Sequence, residues 1–264
     1  MIRGHNINET DRVTKKAWGE NWEKIDIPTI LGIFEYPRVK KLMNIVTGTL
    51  PGSGRVLEAG CGLGPWVIKL GELGHDVVGI DYQEECVKKI NDHCGEEKAF
   101  TADIRDIPFG DNTFNAYLSF GVIEHLAEGP EEAIKEAHRV LAKGGRLILF
   151  VPHLNIFLRA KAPLNYLKRN SLVRRLFKKP LKDHYYQKYF KVSELESIIT
   201  DHGFVIEKTM PVDHIFSLVG FSDIFRDKDS YDGENTLAVI LGGVLEKVLP
   251  WAGAASMLVV AKKG

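Results

Sequence analysis

Residues Val56–Trp66 read Val-Leu-Glu-Ala-Gly-Cys-Gly-Leu-Gly-Pro-Trp, an apolar β-branched run that passes through Gly60, Gly62 and Gly64 into a segment with helical periodicity. A chain that turns tightly at the carboxyl end of a strand, and lets a ligand approach its backbone, needs residues without a Cβ there. Pro65 falls at a first helical position, where its missing N–H is no loss. The stretch predicts a strand, a glycine turn and a helix, with a ligand site on the turn.

Working outward, residues 55–152 alternate short β-branched runs with longer amphipathic segments, the pattern of βαβ units around a parallel sheet. RVLEAG, DVVGID, KAFTAD, TFNAYLSF and RLILFVP are predicted strands; GPWVIKLGELG, QEECVKKINDHCG and PEEAIKEAHRVLAKGG are predicted helices, the last stopped by Gly144-Gly145. Further on, Ser193 is expected to cap a helix that ends at Gly203 and leads into FVIEKTM. A glycine-rich helix near LAVILGGVLEKVL and a last strand at ASMLVVAKK complete the expected doubly wound α/β sheet. Residues 153–191 and 212–235 are left as insertions, of a length more often used for lids and binding loops than for idle connections.

Asp81 ends the second predicted strand about 20 residues beyond the glycines, where a carboxylate can accept from both hydroxyls of a ribose. The pairing points to an adenosine cofactor. The dinucleotide pattern GxGxxG fails, because the sixth position from Gly60 is Pro65, and no GxxxxGK[ST] loop is present. Glu58, two residues before the first glycine, suits a cationic ligand and opposes a pyrophosphate.

Together VLEAGCGLG, VVGIDYQ, FTADIRDIPFGDNTFNAYLSFGVIEHL and EAHRVLAKGGRLILFVPH resemble the successive motifs of class I S-adenosylmethionine-dependent methyltransferases, nearest to the small-molecule and lipid-type group with an ExGCGxG turn. The resemblance spans about residues 54–152. It implies a Rossmann-like sheet of seven strands in the order 3-2-1-4-5-7-6 with the seventh antiparallel, and S-adenosylmethionine as cofactor. It also implies that Glu58, Ala59, Gly60, Cys61 and Gly62 hold the methionine part, Asp81 the ribose and Tyr82 the adenine side. Asp103 would accept from the adenine amine beside the Ile104 amide, and Ser119, Phe120 and Gly121 would line the sulfonium. An N-terminal segment that folds over the cofactor would bring Trp18 and Trp22 to the sulfonium through cation–π contact.

Such a cofactor arrives with its methyl group already activated, so the protein mainly aligns, desolvates and, for some acceptors, removes a proton. Glu124 and His125 follow the fourth strand and are the expected proton-handling residues. His153 and the cluster His184-Tyr185-Tyr186 are candidates for touching the acceptor. Ligand spacing for a metal is missing. Residues 154–182 carry nine lysines and arginines, from Arg159 to Lys182, and no acid, interleaved with Leu, Ile and Phe. A segment of that kind can cover a small-molecule or lipid-type, even anionic, acceptor or touch a membrane surface; nucleic acid ranks below these, since stacking aromatics are sparse among the cations.

The 264 residues, 44% of them hydrophobic, fit one methyltransferase domain: an N-terminal helical cover over 1–50, a cofactor core over 51–152, the insertion 153–191 and C-terminal strands over 192–264. Formal charge sums to zero, so no global field directs the chain to nucleic acid or membrane. Three cysteines without a CxxC pair, a polar start and no apolar run long enough to span a bilayer predict a soluble, cytoplasmic protein. Two other readings share parts of this pattern: a cofactor-binding protein without turnover, and an NAD-dependent oxidoreductase, which the glycine spacing opposes.

Overall fold

The computed structural model describes residues 9–160, 187–227 and 233–264. Its centre is a seven-stranded sheet: β1 (Val56–Ala59), β2 (Val77–Asp81), β3 (Ala99–Thr101), β4 (Phe114–Phe120), β5 (Leu141–Pro152), β6 (Phe204–Val212) and β7 (Ser256–Lys263). They lie in the order β3-β2-β1-β4-β5-β7-β6. β1 to β5 pair in parallel, while β7 runs antiparallel to both β5 and β6. The order and the reversed strand are those that the motifs implied.

Central parallel strands are covered on both faces, which is why they are apolar at nearly every position. β5 places Leu147, Leu149 and Val151 in the core layer on one face and Ile148 in the layer on the other. Against the first layer packs α6 (Glu131–Val140), through the buried stripe Ala133, Ile134, Ala137 and Val140. α4 (Pro65–Glu72) and α5 (Glu84–Cys94) cover β1 and β2, and α5 stops at Gly95 in the left-handed conformation.

Three boundaries differ from the sequence reading. α6 ends at Val140, not at the glycine pair, because Leu141 is fully buried and pairs with Phe114 of β4, so tertiary pairing overrides the helical period. Ser193 lies inside α7 (Val192–Asp201), whose N-cap is Lys191; the Lys191 N–H donates to Glu194 Oε2 at 3.5 Å, so the acid three residues on does the capping. The insertion 212–235 contains α8 (His214–Phe221), which packs against α9 (Thr236–Val248) where Gly242 lets Ile215 close in.

Ahead of the sheet come α1 (Glu9–Trp22), α2 (Ile27–Leu31) and α3 (Pro37–Thr49). α2 is capped by Asp26, which accepts from the Thr29 N–H at 2.8 Å. α1 buries only Thr14 of its fourteen residues, so it is held by something other than a core of its own. Among the described residues no helix is long and apolar enough to cross a membrane.

Candidate functional site

At the carboxyl end of β1 the chain turns through Gly60 to Gly64 into α4, beside the end of β2. The Gly60 and Cys61 N–H groups donate to the Ile80 carbonyl at 2.8 and 2.9 Å, which ties the turn to β2. Gly62 has φ +55, and a Cβ there would stand 2.9 Å from the Trp22 ring, so only glycine admits both the turn and the helix above it. The Asp81 carboxylate then clamps the turn: Oδ2 accepts from the Gly62 N–H and Oδ1 from the Gln83 N–H, each at 2.8 Å.

These groups wall a cavity of about 320 Å³. Its floor is Glu58, Gly60, Cys61, Gly62 and Asp81; its sides include Tyr82, Asp103, Ile104, Phe120, Gly121 and His125; its roof is one face of α1. That face is Asp11, Thr14, Lys15, Trp18 and Trp22, residues spaced three, one, three and four apart. Trp18 and Trp22 stack at 5.4 Å and 22°, and Trp18 meets the His125 ring edge-on at 5.4 Å. Lys15 Nζ sits 5.3 Å from the Tyr82 ring centroid.

The electrostatics of the floor are unusual for a neutral chain. Glu58 is 3% exposed, and burial raises its carboxyl to about 8, despite a 3.0 Å bond from the Val67 N–H and with the Asp81 charge pushing the same way. Burial also raises Asp81, against the backbone N–H groups that favour its charge. Cys61 is pushed well up by burial, which keeps it a thiol and denies it a nucleophilic role. Two buried carboxyls gathered on one cavity floor, with no ion pair to either among the described residues, suit a positively charged ligand. Thr14 adds a buried hydroxyl on the cavity wall with no hydrogen-bond partner among the described residues.

Not every expected residue reaches the cavity. Ala59 faces the core layer with Leu57 and Ile80, because successive strand residues point to opposite faces. Ser119 is buried for the same reason on β4, leaving Phe120 and Gly121 as the wall. Asp103 is engaged by Arg105, which bonds Oδ1 at 2.9 Å and Oδ2 at 2.7 Å and reaches Asp11 Oδ2 at 2.9 Å. Its carboxylate thus anchors the roof helix through an arginine that the sequence did not single out. His153 packs edge-on against Trp251 at 5.7 Å and bridges Phe190, outside the lining of this cavity, and burial lowers its pKa. His184, Tyr185 and Tyr186 lie outside the described residues, as does most of the basic run.

Glu124 and His125 form a short turn after β4, Ile123–His125, with His125 Nε2 3.9 Å from Glu124 Oε1. His125 lines the first cavity; Glu124 lines a second, neighbouring one. Burial raises the Glu124 carboxyl to about 8.

Residues 57–149 match the family described as "Methyltransferase domain", and they contain the turn, Asp81, Asp103 and the Glu124-His125 pair. This segment is similar to a methyltransferase domain. The domain has curated relatives: a "Probable S-adenosylmethionine-dependent methyltransferase" of Mycolicibacterium smegmatis is 26% identical over 60% of this chain and 55% of its own length. A "Probable tRNA methyltransferase 9B" of Mus musculus is 36% identical over 44% of this chain and 25% of its own. The chain spans about half the length of the first curated relatives it matches. Among solved structures, a methyltransferase of the S-adenosylmethionine-dependent kind from Thermotoga maritima superposes with a TM-score of 0.59 at 17% identity, covering 97% of this chain and all of that one, which shows the fold. S-adenosylmethionine is the cofactor of such domains, and the acid-floored, aromatic-roofed cavity fits its sulfonium and ammonium groups. Among the described residues no cluster of His, Cys, Asp and Glu could hold a metal ion.

Proposed function

We propose that the whole chain works as a single S-adenosylmethionine-dependent methyltransferase unit on a small-molecule acceptor. The observation that carries this reading is the 320 Å³ cavity whose floor sets Glu58 and Asp81 around the glycine turn. In it Glu58 faces the cationic amino-acid part, the outer lone pairs of Asp81 take the ribose hydroxyls, and Tyr82 and Ile104 flank the adenine. The cofactor supplies a methyl group on a sulfonium, activated for in-line displacement. The stacked Trp18 and Trp22 close the site from above, exclude water and present ring faces to positive charge. His125, held against Trp18, positions the turn that carries Glu124.

Lipid rather than nucleic acid is the surface this molecule suits. α9 exposes Leu237, Ile240, Leu241, Val244 and Val248 on one face, an apolar stripe, and the chain also carries the basic amphipathic run of 154–182. Such a stripe offers a phosphate backbone nothing.

Isothermal titration against S-adenosylmethionine and NAD tests the cofactor, and transfer of a labelled methyl group to extracted metabolites tests the reaction. Binding of S-adenosylmethionine alone, with label transfer lost in Asp81→Ala, is the expected result. Preference for NAD would overturn the reading, and cofactor binding without any label transfer would reduce it to a non-catalytic cofactor protein.

A further inference from the structure

Beside the first cavity lies a second of about 540 Å³, enclosed by α3, the ends of β4 and β5, α8 and α9. Ile33, Trp66, Phe120 and Gly121 line both. Gly121 has no side chain, so it contributes only main chain to this partition. Glu124 stands on the second wall at that point: its Oε1 lies 3.7 Å from where a Gly121 Cβ would be. The residue is 3% exposed, and Oε2 has no hydrogen-bond partner among the described residues. A buried carboxyl left in this state carries a desolvation cost that a ligand can relieve.

The remaining wall decides what kind of ligand. Leu42, Phe150, Val212 and Phe216 make it largely apolar. Among the described residues its lysine and arginine are already matched: Arg38 bonds Glu234 at 3.0 Å and lies 3.8 Å from Asp213, and Lys41 pairs with Glu246. An anion entering would give up its water for a described surface whose lysine and arginine are committed and whose carboxyl groups are Glu124, Asp213 and Glu246. A hydroxyl both donates and accepts, so it satisfies Glu124 with or without a proton.

We propose that the second cavity is the acceptor site and takes an uncharged, predominantly apolar molecule whose hydroxyl lies against the Glu124 carboxyl at the Gly121 partition. The proposal rests on the assignment of the first cavity to the cofactor. It narrows the acceptor from the anionic or lipid-linked classes that the sequence left open to lipophilic alcohols and phenols. Burial of Glu124 holds its carboxyl up to about 8, so at neutral pH the pocket presents a hydrogen-bond donor and no net charge of its own at the reacting end. Gly243 lines the same cavity from the middle of α9, and nothing lies within 4 Å of a Cβ built on it. A leucine there intrudes without breaking the helix.

The test is calorimetric titration of decan-1-ol and of decanoate into protein saturated with S-adenosylhomocysteine at pH 7. Decan-1-ol should bind at least about tenfold more tightly than decanoate, a difference of about 1.4 kcal/mol. Gly243→Leu should weaken decan-1-ol by about tenfold or more while S-adenosylhomocysteine affinity stays within about twofold, which also shows that the variant is folded. Glu124→Gln, which keeps a donor and an acceptor, should retain alcohol binding, whereas Glu124→Leu should lose the preference for decan-1-ol over decane. Equal or tighter binding of decanoate, or a Gly243→Leu variant that binds decan-1-ol normally, would overturn the proposal while leaving the cofactor reading intact. Failure of S-adenosylhomocysteine to bind wild type strikes the cofactor reading instead.

Discussion

Glu58 has a carboxyl that ionises near 8 in the folded chain and near 4.5 in the unfolded one, with burial as the main cause. Between those values the folded protein keeps a proton that the unfolded chain has released, so the contribution of Glu58 to stability is full below about 4.5 and lost as pH rises through about 8. Glu124 acts in the same sense. The thermal midpoint of the cofactor-free protein should therefore fall from pH 5 to pH 8, and Glu58→Gln should flatten part of that slope; an unchanged slope would contradict the buried, raised Glu58 carboxyl. A cation placed against Glu58 favours its charged form, so cofactor binding at pH 7 should release about one proton, read by calorimetry in buffers of different ionisation enthalpy. Glu58→Gln should release none. Asp81 performs a different task, holding two backbone N–H groups of the site. Asp81→Asn cannot accept both and should cost roughly 1–3 kcal/mol of cofactor affinity in a titration. These residues were legible because strand ends and glycine turns fix them by position. Arg105 was not, since its partner Asp11 lies 94 positions away.

At the scale of elements, α1 is the piece whose role follows from what it lacks. It buries one side chain in the protein, and its inner face is the cavity roof. An element so attached opens at low cost, and a ligand that fills the space beneath it closes it. Backbone amides of residues 9–22 should exchange rapidly without cofactor and slow by about tenfold or more when S-adenosylhomocysteine is bound, while Arg105→Ala should leave them fast in both states. Protection that is already high without ligand would contradict the lid. α9 carries the opposite case, a glycine whose Cβ position is open: Gly243→Ala should raise stability by about 0.5–1 kcal/mol, seen as a thermal midpoint about 1–4 °C higher. Trp18 and Trp22 suggested the roof from sequence, but Thr14 and Lys15 were hidden in a polar stretch whose single functional face pays off only in tertiary contact. The end of α6 was misplaced for a related reason. Leu141 continues the helical period, and only its pairing with Phe114 draws it into β5.

For the whole molecule, the alternation of apolar runs and amphipathic segments was enough to foresee a doubly wound sheet, and the resemblance to class I methyltransferases implied the reversed β7. Periodicity did not reveal α8 or the second cavity, because that space is assembled from α8 and α9 together with α3, which is far from them in sequence. The exposed stripe of α9 and the cations of 154–182 lead to one expectation at this scale: co-sedimentation with vesicles containing anionic lipid, weakened by raised salt and by Ile240→Lys, with no comparable binding to tRNA. Retention on tRNA at physiological salt, with vesicles left unbound, would reverse the choice of surface. A crystal structure of the protein with S-adenosylhomocysteine tests the cofactor site most directly. The nucleoside should lie beneath Trp18 and Trp22 with its ribose hydroxyls about 2.6–3.2 Å from Asp81, its amino group toward Glu58 and its sulfur by Gly121. A ligand bound elsewhere, or Glu58 and Asp81 turned away from it, would contradict the account.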